Sequence, residues 1–199
     1  FEPEFSCADV LRLPLQVGDG PKWLCGPHAL RRPWRVVSIG SHYDDSYEVA
    51  MHHAASCGSY IVDPTLEGAR LADFSRKVSR HLSRVNATVG VGNAAELTAP
   101  FPLVSIRTLL NDRYSWPQGR AGAISAVKVD IEGHEWSQLL ELFDMCERDG
   151  LRIDMLNVEL HLATRPSMRT IHAVFRRALA CGLVLYHKEV NVWGCGGVG

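Results

Sequence analysis

The run Ala126-Val127-Lys128-Val129-Asp130-Ile131-Glu132-Gly133-His134-Glu135-Trp136 constrains the fold of this chain more than any other segment. An apolar, strand-like stretch ends in carboxylates, turns at a glycine and enters an amphipathic segment. An α/β protein presents acidic groups at the carboxyl edge of its sheet in this way. The theme occurs twice upstream. Arg35-Val36-Val37-Ser38-Ile39-Gly40 is a β-branched run closed by glycine, and Ser59-Tyr60-Ile61-Val62-Asp63-Pro64 ends in a carboxylate before a proline that blocks its continuation.

Helical patterns separate these runs. Asp45 and Glu48 have capping-box spacing, which starts a helix with its positive dipole end toward the loop after Gly40. Leu71, Phe74, Val78, Leu82 and Val85 recur every three or four residues and predict an amphipathic helix, with arginines on its solvated face. Asn86 to Val91 reads as a third strand, with a loop from Gly92, and Leu103 to Leu110 fits strand and helix equally. Ile124 to Ile131 is the fourth strand. Its helix carries Trp136, Leu139, Leu140, Phe143 and Cys146 and stops at Gly150. Ile153 to Leu162 is a fifth strand, Ile171 to Leu179 a helix closed by Gly182, and Leu183 to Val192 a sixth strand. Alternation of this kind predicts an α/β fold: a doubly wound, mostly parallel sheet with helices on both faces. Residues 1–33, with a turn at Gly18-Asp19-Gly20-Pro21, read as an irregular lead-in packed on one domain over 34–199.

An apolar fraction of 46% over 199 residues supports one substantial core. Lys and Arg total 21 against 22 for Asp and Glu, so no net field draws the chain to nucleic acid or an anionic membrane, and a small or neutral partner is expected. No apolar run approaches the roughly 20 residues that span a bilayer, and with Phe1 first, any leader or anchor is removed or omitted. The six cysteines form no C-x-x-C pair, which argues against a zinc ribbon or a thioredoxin-type site. Cys7 and Cys25 are expected to form a disulfide stapling the lead-in, which favours a secreted or luminal setting; the others read as buried thiols.

Ligands of such sheets lie beyond the strands' carboxyl ends, here Gly40, Asp63, Asp130 with Glu132, and Glu159 with His161. Gly40 with Asp63 suits an adenosine-containing cofactor, the carboxylate taking the ribose hydroxyls; a turn glycine and a helix-capping carboxylate read equally well. Asp130, Glu132, His134 and Glu135 crowd four ionisable groups into six positions, which is costly without charge partners or a ligand, although Glu135 also suits a helix N-terminus. Glu159 and His161 share one face of a strand, as functional groups or as a satisfied core pair. His187 to Asn191 reads as a wall of the same cleft or as a charged edge strand.

On these residues the chain resembles the FkbM-like branch of S-adenosylmethionine-dependent methyltransferases and its eukaryotic methyltransferase-like relatives. Lys128-Val129-Asp130-Ile131-Glu132-Gly133-His134-Glu135 resembles the family's K-x-D-I-E-G-x-E signature. Val37-Ser38-Ile39-Gly40 with Tyr47-Glu48 resembles its first cofactor motif, and Val62-Asp63-Pro64-Thr65 its second. The resemblance runs from about Gly18 to the end. It implies a class I methyltransferase fold with Gly40, Ser41 and His42 at the cofactor's methionine part, Asp63 on its ribose and Asn93 near its adenine. Ser41-His42-Tyr43 stands where a second glycine is common, and the chain stops eight residues past Asn191, leaving little room for the antiparallel last strand such folds insert.

The expected activity is methyl transfer from S-adenosylmethionine to an oxygen of a small-molecule or sugar-like acceptor. Asp130 and Glu132 serve as base and acceptor-positioning groups, Asp130 also facing the cofactor, with His161 as alternative base oriented by Glu159. Two rivals stand beside it. One is an inactive binding module on the same fold; the other is a metal-dependent enzyme using Asp130, Glu132, His134, Glu159 and His161. A nicotinamide enzyme is disfavoured because G-x-G-x-x-G is absent after the first strand.

Overall fold

The alternation of strand and helix builds a five-stranded, all-parallel sheet. The computed structural model describes residues 2–15, 21–26, 35–93, 100–113, 123–162 and 164–190. The expected turn at Gly18-Asp19-Gly20, the loop over 94–99 and the end from Asn191 lie outside the described residues. The elements are β1 (Val10–Leu13), β2 (Lys22–Cys25), β3 (Arg35–Ile39), α1 (Ser46–Ala55), β4 (Gly58–Val62), α2 (Gly68–Ser79), β5 (Arg84–Asn86), β6 (Gly90–Val91), β7 (Leu103–Val104), α3 (Ile106–Thr108), β8 (Ala123–Ile124), β9 (Ala126–Val129), α4 (Glu135–Asp149), β10 (Arg152–Ile153), β11 (Leu156–Val158) and α5 (Met168–Ala180).

The sheet order is β11-β9-β3-β4-β5, so the winding direction reverses between β3 and β9. Open parallel sheets leave their crevice at such a reversal. Register fixes the faces: Val36, Ser38, Ile61, Ala126 and Lys128 point one way, and Val37, Ile39, Val62, Val127 and Val129 the other. The first face packs on Tyr47 and Met51 of α1 and on Phe74 and Val78 of α2. The second packs on Trp136, Leu139, Leu142 and Phe143 of α4 and Val174 of α5. Helices cover both faces, as the sequence predicts.

Several expectations need correction. The helix carrying Leu71, Phe74 and Val78 ends at Ser79; Leu82 is exposed in a turn at φ 58° and Val85 belongs to β5, because the apolar spacing continues past the helix by coincidence. Asn86 to Val91 divides between β5, which joins the main sheet, and β6, which pairs with β7. Leu103 to Leu110 is strand and then helix, β7 leading through Ser105 into α3 and a π-type turn. The fifth strand ends at Val158, so Glu159 and His161 lie just beyond it. The residues of Leu183 to Val192 that are described, 183–190, form no strand. They lie instead on the lead-in: the Glu4 N–H donates to the Leu185 carbonyl at 2.8 Å, Tyr186 Oη to the Trp23 carbonyl, and Trp23 Nε1 to Glu189 at 2.9 Å.

The lead-in is not irregular throughout, since β1 and β2 pair antiparallel. Cys7 and Cys25 form the expected disulfide; Cys146 and Cys181, expected as thiols, form another, because α4 and the end of α5 bring their Cα atoms to 6.0 Å. Among the described residues Cys57 is free and buried, and burial pushes its thiol up to about 11. The capping box at α1 does not form. Asp45 precedes the helix, but its carboxylate pairs with Lys77, and Glu48 turns inward.

Candidate active site

β3 and β9 approach closely at their carboxyl ends, which forces a glycine at position 40. Its φ is +82°, and a Cβ there would lie 1.7 Å from the Asp130 carbonyl oxygen. The Gly40 N–H donates to Val62 O and the Asp130 N–H to Ile39 O, both at 2.9 Å, while buried Lys128 donates through Nζ to the Gly40 carbonyl. Beyond Gly40 the chain holds two non-glycine residues in left-handed conformations, His42 at φ +43° and Tyr43 at +67°. Asp63 braces this turn from the end of β4. One carboxylate oxygen accepts the Ser41 and His42 N–H groups at 2.8 and 2.6 Å; the other accepts the Thr65 N–H and hydroxyl at 2.9 and 2.6 Å. Burial alone would raise the Asp63 pKa, but these hydrogen bonds, Thr65's first, hold it below the ordinary value.

The loops enclose a cleft of about 530 Å³ at the β3/β9 reversal. That is within the size range of small-molecule sites. Gly40, Ser41, His42, Asp63, Asp130, Glu132 and His134 line it, with Val91, Phe101 and Leu103 as apolar surface. Phe101 is not among the residues expected at the site, although Pro100 and Pro102 on either side mark a rigid turn able to present it. Asn93 is exposed and is not among the lining residues. Glu159 and His161 are not among the lining residues; His161 stands beside Glu132, and Glu159 beside His161.

The turn after β9 is held by Glu135, the first residue of α4, whose side chain is fully buried. Glu135 accepts the Ile131 N–H at 3.0 Å and the Gly133 N–H at 3.1 and 3.0 Å, so a carboxylate that suits a helix N-terminus also folds the acidic loop. Gly133 lies at φ +107°, where a Cβ would meet Thr164 Cγ2 at 2.4 Å. Glu132, at φ +54°, directs its exposed side chain toward His161, 3.6 Å from Nε2.

His161 places Nδ1 2.9 Å from Glu135 Oε1. Glu159 does not orient it as expected: its carboxylate lies 3.9 Å from Nε2 and pairs with Lys22 at 3.2 Å. No local pattern signals the Glu159–Lys22 pair, whose members stand 137 residues apart. Burial opposes protonation of His161, but the Glu135 hydrogen bond and charge, then Glu132 and Asp130, outweigh it and raise its pKa. Asp130 is also raised, chiefly by burial and further by Glu159, against the pull of Lys128, Lys22 and His161. Asp130, Glu132 and His161 each offer a ligand atom within 4.8 Å of the other two. Two hard oxygens beside an imidazole could hold a divalent cation.

Ser41 and Ser46 each bury a side-chain oxygen at the cleft with no hydrogen-bond partner among the described residues. Buried hydroxyls of this kind call for a polar ligand or water. The family model described as a methyltransferase domain matches residues 1–197. Neither a curated protein nor a solved structure matches the chain.

Proposed function

Because the chain belongs to the methyltransferase domain family, we propose that it transfers a methyl group from S-adenosylmethionine to an oxygen of a small-molecule or sugar-like acceptor, within the FkbM-like branch. The observation that carries this reading is the cleft at the strand reversal, braced by Asp63 and flanked by the His161–Glu135 pair. The bound cofactor would supply a methyl group already activated on a sulfonium.

The chain's residues fit such a ligand. Gly40, Ser41 and His42 would hold its amino-acid part, to which the Ser41 and Ser46 hydroxyls offer free polar groups. Val91, Phe101 and Leu103 suit an adenine. A carboxylate has about four acceptor sites, and all four of Asp63 are taken by Ser41, His42 and Thr65. Asp63 therefore acts first by shaping the loop, and a ribose hydroxyl would replace one of these donors.

At the acceptor end, the Nδ1–H of neutral His161 donates to Glu135, which leaves Nε2 as the lone-pair nitrogen facing Glu132. His161 Nε2 would remove the hydroxyl proton, and the Glu135 hydrogen bond and charge that raise its pKa make it a stronger base. Asp130 and Glu132 accept hydrogen bonds from the acceptor and align it. Incubation with methyl-labelled S-adenosylmethionine and a panel of hydroxyl acceptors tests this: label transfer that Asp130→Asn abolishes without unfolding the chain supports it. Cofactor binding without transfer to any acceptor would favour the binding module instead.

A second reading rests on the convergence of Asp130, Glu132 and His161. A divalent cation there would activate the acceptor oxygen directly. Metal analysis after dialysis, in the chain and in Glu132→Gln, separates the two.

A further inference from the structure

His52 and His53 in the last turn of α1 and His81 in the turn after α2 stand at the corners of a nearly equilateral triangle. Their ring centroids lie 5.7 Å (His52–His53), 5.2 Å (His52–His81) and 5.5 Å (His53–His81) apart, with the rings inclined at 66°, 61° and 71°. The triangle is remote from the cleft. α1 ends just before β4 begins, and the Leu82 carbonyl beside His81 faces Gly58, the first residue of β4, so the histidines lie at the amino edge of the sheet.

Three imidazoles bound to one tetrahedral ion at about 2.0–2.1 Å place their ring centres about 5 Å apart, mutually inclined. One tautomer is already fixed. His52 Nδ1 is 3.1 Å from the Cys57 carbonyl oxygen, and a carbonyl only accepts, so Nδ1 carries the proton and Nε2 the lone pair. Such a backbone carbonyl behind a ring nitrogen is the usual support of a metal-ligating histidine. The carboxyl ends of α1 and α2 both arrive here, and helix carboxyl ends favour a cation.

We infer that His52, His53 and His81 bind one first-row transition-metal ion of the zinc class, tying the end of α1 to the turn after α2. Their nitrogens are not gathered within 4.8 Å as the ligand atoms of Asp130, Glu132 and His161 are, so binding turns at least one ring about its Cβ–Cγ bond, a soft torsion for histidine. An all-imidazole set suits zinc, nickel or copper over magnesium or calcium, and His53, which is exposed, leaves room for a water as fourth ligand. The site is independent of methyl transfer.

Calorimetric titration of zinc chloride into the full chain tests it, with His53→Ala and His81→Ala in one arm and Glu132→Gln and His161→Ala in the other. His53 is exposed, so its substitution leaves the fold intact, and His52 is retained because it supports Cys57. Zinc affinity falling at least about tenfold in the first arm and unchanged in the second is the expected result, with zinc raising the melting temperature of the wild type but not of His53→Ala. Absence of zinc binding, or binding that survives His53→Ala and His81→Ala and is lost in Glu132→Gln, would overturn the assignment.

Discussion

Glu135 Oε1 and His161 Nδ1 lie 2.9 Å apart, joining the first residue of α4 to the segment after β11. Since Glu135 also accepts two loop N–H groups, one buried carboxylate sets both the acidic turn and the imidazole that faces it.

Glu135→Gln therefore lowers the His161 pKa, read by NMR titration of the ring. The sign for stability follows from the raised pKa: the contribution of His161 is fully present below its unfolded value of about 6.5 and is lost as pH rises through the folded value. In Glu135→Gln this part of the pH dependence flattens. An unchanged titration curve would remove Glu135 from its role.

Gly40→Ala places a methyl group against the Asp130 carbonyl at a left-handed φ. A loss of at least about 2 kcal/mol in denaturant unfolding is expected, because chirality and the clash act together. Wild-type stability in this variant would show that β3 and β9 do not approach as described.

Asp63→Asn replaces an acceptor of four hydrogen bonds by an amide that turns an N–H toward donors. Unfolding experiments should show a cost of about 1–3 kcal/mol, along with weaker cofactor binding. In the parent chain the lowered Asp63 pKa contributes stability that is present above the unfolded value of about 3.9 and is lost as pH falls through the folded one. Acid titrations of the two proteins should therefore differ below about pH 4.

Much of this arrangement is legible in the sequence. β3, β4 and β9 are β-branched runs bounded by Gly40, Asp63 and Asp130, and α4 shows an apolar stripe with a glycine stop, so patterning alone puts these strand ends on one edge. The remainder depends on long-range pairing. β6 and β7 are two residues each, too short to show a period. Residues 183–190 carry a strand-like pattern, but the lead-in, through Trp23 and Glu4, takes up their polar groups. Adjacency along a strand pairs Glu159 with His161, whereas Lys22 claims it across the fold.

Peptide mapping under non-reducing conditions should yield Cys7–Cys25 and Cys146–Cys181 as linked pairs and Cys57 as a thiol shielded until unfolding. Replacing Cys7 and Cys25 by serine should cost about 3 kcal/mol, given a loop of 18 residues. Two disulfides suit an oxidising compartment. Four freely alkylated cysteines at these positions in the native protein would contradict the pairing.

The cleft itself is tested most directly by calorimetric titration of S-adenosylhomocysteine. One molecule should bind per chain, with affinity reduced at least about tenfold in Asp63→Asn, a loss of about 1.4 kcal/mol. No heat and no protection of the Gly40 to His42 amides at saturating ligand would contradict a nucleoside cofactor at the β3/β9 reversal.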